Sequence, residues 1–223
     1  MKLNCSAWSR VGSAAVFMAV GAGGLAIASG LLSQPVQAGS ESAIQPEDQA
    51  MDPEAMMKMM EQASVPDEHH QVLARMAGRW HAALSAQPME PGGEGFKTTG
   101  TMVNTMIMGG RYLQQNFSGT FMGKPMTGQG FTGYHKALKR YEAIWFDSGS
   151  TAIGFNVGQP GEDASTITLT GEETEPVTGQ TAKVKDVIQI LDDDHHVFTR
   201  YYVAPDGSQA EGFRITYTRM GAD

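Results

Sequence analysis

Cysteine is nearly absent from this chain. The 223 residues contain one, Cys5, so no intrachain disulfide is available and a folded domain must be held by its core alone. Basic residues are scarce as well, with 16 Lys and Arg against 24 Asp and Glu. That balance argues against nucleic acid as a partner, because phosphate binding needs a basic patch. No Gly-x-Ser-x-Gly elbow, His-Glu-x-x-His zinc helix or phosphate loop occurs, so the common hydrolase, zinc-protease and nucleotide-binding signatures are missing. Helices of crossover length are lacking after residue 78. A parallel sheet is thereby excluded, since a parallel return needs a dozen or more connecting residues.

What is present begins with an address. Lys2 and Arg10 give a basic start, Val11 to Leu32 is apolar, and Val36-Gln37-Ala38 supplies small residues at −3 and −1 of a cleavage site. Residues 1–38 therefore read as a signal peptide, and the protein is expected to be exported, to the periplasm if the source is Gram-negative. The apolar stretch is also long enough to stay as an uncleaved anchor; the Gln34-Pro35 break and the cleavage triplet favour removal. Membrane contact is then expected only through this segment before cleavage. Cys5 precedes the apolar stretch and cannot be a lipidated first residue. Cleavage leaves 14 basic against 24 acidic residues, a formal charge of −10. The sequence sets no oligomeric state.

Residues 39–50 are polar and acidic and read as a disordered linker. Met-rich and capping helices are expected over 51–77. Met51, Met56, Met57, Met59 and Met60 follow or flank an Asp52-Pro53 start. Such thioethers either dock on the domain or bind soft Cu(I). Pro66 opens a second helix, with Asp67 and Glu68 in its first turn, apolar Val72, Leu73 and Met76, and Gly78 as its stop. His69 and His70 are neighbours about 100° apart around the axis and cannot share a metal as an i, i+4 pair does.

From Arg79 the period becomes two. Strands are expected at 79–86, 96–108, 111–122, 126–134, 140–147, 151–158, 165–171, 182–192, 195–204 and 209–220. Hairpin chemistry joins them: Gly109-Gly110 as a two-residue turn, Gly123-Lys124-Pro125 and Ser148-Gly149-Ser150 as tight reversals, and Pro205-Asp206-Gly207 as a type I turn with a glycine bulge. The fold class is mainly β: a closed antiparallel up-and-down barrel of about 8–10 strands over residues 78–220, preceded by one or two short helices.

Parity assigns faces. Phe213, Ile215, Tyr217 and Arg219 share the apolar side of the last strand. In 140–147 Tyr141, Ala143, Trp145 and Asp147 share one side and Glu142, Ile144 and Phe146 the other, and parity alone leaves the inward side open. With the Trp face inward, Asp147 is a carboxylate near the mouth that needs a partner such as Arg200 or Arg111.

Gly78-Arg79-Trp80 resembles the Gly-x-Trp opening of calycins, the lipocalin and fatty-acid-binding-protein superfamily. There, the first-strand Trp packs at the closed end beneath a basic residue of the last strand, for which Arg219 is the candidate. Over roughly 56–220 the chain is similar to the domain-of-unknown-function 1579 family. The landmarks are the Met-rich lead, Pro66 to His70 before Leu73, Gly78 to Trp80, Gly109-Gly110-Arg111, Gly123, and Gly133-Tyr134 followed by Tyr141, Trp145 and Asp147. Gly171, the Val177-Thr178-Gly179 turn and Asp206-Gly207 continue the match. His135 stands where that family usually has Asp. The resemblance implies a calycin-like barrel and brings no established activity, cofactor or catalytic residue.

Function is then a matter of what the barrel holds. The leading expectation is a small apolar or amphipathic ligand in the lumen beside Trp145, with Tyr134, Tyr141 and Asp147 near the open end. No catalytic residue, cofactor or metal site is assigned. Alternatives are a haem- or metal-dependent enzyme using the lumen, with His70, His81 or His135 as axial ligand, and a packed barrel acting as a protein-interaction module. His81 follows Trp80 and is expected to face outward. Asp192-Asp193-Asp194-His195-His196 offers metal-type donors but falls at a hairpin, where such residues are ordinarily solvated.

Overall fold

A computed structural model of the protein describes residues 52–88, 94–175 and 178–221. The expected signal segment and 39–50 linker, with Met51 and Val177, lie outside the described residues. Two helices lead, α1 (Pro53–Ser64) and α2 (Glu68–Arg75). Ten strands follow: β1 (Gly78–Ala86), β2 (Phe96–Ile107), β3 (Tyr112–Phe121), β4 (Lys124–His135), β5 (Arg140–Asp147), β6 (Gly154–Gly158), β7 (Thr166–Thr174), β8 (Thr181–Ile190), β9 (His195–Val203) and β10 (Gln209–Arg219). Each pairs antiparallel with its sequence neighbour and β1 pairs with β10, which closes the barrel.

Asp52 caps α1 by accepting from the Glu54 amide at 3.3 Å, with Pro53 in the first turn. α1 does not dock its methionines on the barrel as one expectation had it. None of its residues is buried, and Met56, Met57, Met59 and Met60 stand in solvent. Lys136 Nζ tethers its end by donating to the carbonyls of Gln62 and Val65 at 3.1 and 3.0 Å.

α2 starts at Glu68, two residues after the expected Pro66. Asp67 is its N-cap, accepting from the His69 amide at 3.1 Å, while Pro66 stands just outside. His70 closes the cap, its Nδ1 lying 3.1 Å from the Asp67 amide and 2.8 Å from Asp67 Oδ1. Val72, Leu73 and Met76 of this helix pack with Leu113, Tyr141, Ile167 and Ile190 and plug one end of the barrel.

Beyond the plug, Trp80 is 1% exposed and packs with Ala82, Met102 and Tyr217. Its Nε1 and Asn104 Nδ2 both donate to the Met76 carbonyl at 2.9 Å, satisfying an orphan acceptor at the end of α2. Arg219 covers the Trp80 ring and donates to the carbonyls of Ala77 and Arg75 at 2.9 and 3.1 Å.

One turn differs from its expected form. Ile107 pairs with Tyr112, so the β2–β3 connection has four residues, and Met108, Gly109 and Gly110 all take positive φ. The tight two-residue turn is instead Met122-Gly123, between paired Phe121 and Lys124, again with positive φ at both residues.

Candidate functional site

Among the described residues α2 plugs one end of the barrel and no helix covers the other, here the open end, and burial along the strands changes between them. Near α2 the inward side chains Leu113, Tyr141, Ile167 and Ile190 are buried. Toward the other end Phe117, Trp145, Phe198, Phe213 and Ile215 also point inward, yet all remain partly accessible. Inward side chains of a closed barrel reach solvent only through the lumen.

Trp145 owes its place to glycine. Its indole lies against β4 so closely that a Cβ on Gly128 would come 2.3 Å from it, and one on Gly130 2.8 Å. Trp145 Nε1 donates to Asp147 Oδ2 at 3.0 Å, and the Gly149 amide donates to Asp147 Oδ1 at 2.8 Å. Asp147 therefore finds its partners within five residues of chain and pairs with neither Arg200 nor Arg111.

Arg200 belongs to a different cluster, which spans β6 to β9. Its Nε and Nη2 donate to the two oxygens of Asp186, each at 2.8 Å, and its Nη1 donates to Glu173 at 3.0 Å. Asn156 Nδ2 donates to Asp186 at 2.6 Å, and Gly171 leaves the room that Asn156 fills. Burial works against the Arg200 charge, but the Asp186 hydrogen bonds and the two carboxylates outweigh it and hold its pKa above the usual value. Phe198 and Phe213 flank the guanidinium at 5.9 and 5.6 Å. This group was not foreseen, although its signal was there: Asp186 shares parity with Val184, Ile188 and Ile190, a carboxylate on the apolar side of a strand.

The four residues expected to share a ligand site do not converge. Tyr134 and Tyr141 lie at the plugged end, not the open one. Tyr141 is 1% exposed, its ring 5.1 Å from that of Tyr134, and its hydroxyl donates to the His69 carbonyl at 3.3 Å. Tyr134 in turn packs on His69 at 4.0 Å. Six residues of strand, about 20 Å, separate Tyr141 from Asp147. Only Trp145 and Asp147 line the open half.

The histidines divide similarly. His70 is engaged in the α2 cap, His81 faces outward and is exposed, and His135 is exposed with its Nδ1 accepting from the Leu138 amide at 3.2 Å. None of the three points into the lumen. His196 does. It meets Trp80 edge-on and stacks on Tyr217, both at 4.3 Å between centroids, and its Nδ1 is buried without a hydrogen-bond partner. Burial, aided by the Arg219 charge, lowers its pKa to about 4, so the ring is neutral at pH 7. In the Asp192–His195 turn, Asp192 is used locally, accepting from the Asp194 amide at 2.8 Å and contacting His195 Nδ1 at 2.9 Å. Among the described residues no three His, Cys, Asp or Glu side chains converge as a metal requires.

Residues 65–219 match the family described as a protein of unknown function, DUF1579. The chain belongs to that family. Among solved structures, Rv2717c from M. tuberculosis aligns with a TM-score of 0.53 at 14% identity, covering 70% of this chain and 100% of its own. The S-type phycobiliprotein lyase CPES from Guillardia theta aligns with a TM-score of 0.49 at 12% identity, covering 70% and 97%. The first likeness, at so low an identity, establishes the calycin-like barrel fold of this DUF1579 member and nothing of its chemistry. A search of curated proteins finds no match.

Proposed function

We propose that this DUF1579 protein is exported and binds a small apolar or amphipathic ligand in the open half of its barrel. One observation carries the reading: Phe117, Trp145, Phe198, Phe213 and Ile215 face inward in a closed barrel and stay accessible, while α2 seals the opposite end. Apolar walls with a few placed polar groups are how proteins hold such molecules. The polar groups also bias the choice of ligand. Asp147, Glu173 and Asp186 are three carboxylates on the lumenal side, with Arg200 the basic group among them, already shared by two of the three. A neutral or cationic head is favoured over a carboxylate.

Trp145 fluorescence tests the reading. Dodecanol and dodecylammonium, kept below micellar concentrations, are expected to give a saturable change that Trp145→Phe abolishes, with dodecanoate binding more weakly. No saturable Trp145-dependent signal from any of them would remove the lumenal site. The export half is tested separately by N-terminal sequencing of native protein, which is expected to start at Gly39. A partner-binding role is favoured by one feature, the exposed methionines of α1.

A further inference from the structure

We propose a second, independent ligand site outside the barrel, in the cleft between the α1–α2 junction and the ends of β3 and β4, suited to a small planar anion such as an aromatic carboxylate. The cleft has a volume of about 320 Å³ and is lined by Ala63, Ser64 and Val65 on one side and by Arg111, Tyr112, Tyr134 and Lys136 on the other, with His70 at its base. Tyr112 points outward, because its neighbour Leu113 points in, so the cleft does not communicate with the lumen through β3.

Three features define the ligand. First, both cations are uncompensated. Among the described residues the Arg111 side chain bonds only the Met108 carbonyl, through Nη1 at 2.8 Å, and the Lys136 side chain bonds only the Gln62 and Val65 carbonyls. The rest of the Arg111 fork is left to meet an anion. Second, the nearby carboxylate of Asp67 does not line the cleft and is already engaged with His70 and the His69 amide; those contacts hold its pKa low against the opposing effect of burial. Third, the aromatic walls are fixed. A Cβ on Gly133 would come 2.6 Å from the Tyr112 ring, which therefore lies flat on β4, and Tyr134 is held by His69. Burial, with Asp67 and Glu68 nearby, raises the Tyr134 pKa, so its hydroxyl stays protonated and able to donate. Two cations beside two tyrosine rings match a ring bearing one anionic group.

The test titrates benzoate, benzyl alcohol and benzylammonium into the purified full chain, with amide NMR shifts as readout. Benzoate is expected to shift the amides of Gly110, Tyr112 and Lys136 saturably and to bind at least tenfold more tightly than benzylammonium. Losing a charge-assisted hydrogen bond should weaken benzoate by about tenfold in Arg111→Met and again in Lys136→Met. Because Lys136 also tethers α1, Lys136→Arg serves as control and should retain binding, and Trp145→Phe should leave it unchanged. Equal binding of benzylammonium, indifference to Arg111→Met, absence of saturable shifts at millimolar benzoate, or shifts confined to amides around Trp145 would each overturn the proposal, the last without touching the lumenal site.

Discussion

The Arg219 guanidinium lies 4.1 Å from the centre of the Trp80 ring, and its nitrogens reach carbonyls of Ala77, Arg75 and Asp193. One side chain of the last strand thus covers the first and closes the end of α2, tying barrel closure to the plug. Trp80→Ala should cost about 3–5 kcal/mol, the usual loss for a buried aromatic. Urea denaturation measures it. A midpoint equal to that of the unchanged protein would show that Trp80 carries no core energy.

His196 makes stability depend on pH in a defined direction. Its pKa is about 4 in the fold against an ordinary 6.5, so between those values the unfolded chain binds the extra proton. Stability from this group is complete above pH 6.5 and is lost as pH falls toward 4, by about 3 kcal/mol in all. His196→Phe keeps a flat ring between Trp80 and Tyr217 and should flatten that slope. Denaturation midpoints at half-unit steps from pH 4 to 7.5 compare the two proteins and subtract the carboxylates they share.

The Arg200–Asp186 pair is held across β8 and β9, whose register sets the two residues opposite each other. Asp186→Asn alone leaves a guanidinium with a weakened partner in a buried place, and breaking such a pair costs about 3–5 kcal/mol. Replacing both, as Asp186→Leu with Arg200→Met, should recover more than half of that loss. A double-mutant cycle from chemical denaturation gives the answer. Losses in the single variants Asp186→Leu and Arg200→Met that simply add in the double variant would mean that the pair has no coupling.

Gly154 offers a way to close the lumen without disturbing the wall. It shares inward parity with Asn156, and a Cβ there would meet only the Trp145 carbonyl oxygen, at an ordinary 3.6 Å. Gly154→Leu should therefore fold as well as the original and reduce lumenal binding at least tenfold, since new methylenes occupy space a guest would use. Calorimetric titration with dodecanol decides it. Undiminished binding in a folded variant would place the guest elsewhere.

The strands, the closure and the inward side of β10 were legible because alternation is a local signal repeated over eight to twelve residues, whereas β5, with large apolar residues on both sides, left its inward side open. Trp80 and Arg219 were legible only through the resemblance of Gly78-Arg79-Trp80 to the Gly-x-Trp opening of calycins. The end of the barrel on which a side chain sits was not, since parity reports inside or outside and not height. Tyr134 and Tyr141 were accordingly assigned to the mouth, whereas α2 covers them. The partner of Asp147 was misread for a related reason. A charge in an expected core invites a search for a distant counter-charge, and the indole two residues away was enough. Asp186 was readable from its apolar strand face, but its link to Arg200 needed the β8–β9 register.

The barrel is unevenly stitched. β3 and β4 match ten residue pairs along their length, whereas β6, five residues long, matches β7 at Asn156–Gly171 and Val157–Thr170, followed by a lone bridge from Pro160 to Ile167. Local opening is cheapest where few backbone hydrogen bonds must part. The wall therefore has a seam, and the seam runs beside Asn156, a member of the lumenal polar cluster. Parting it would admit a guest broadside, through the flank of the cylinder, while the α2 stopper and the Arg219 clasp stay in place.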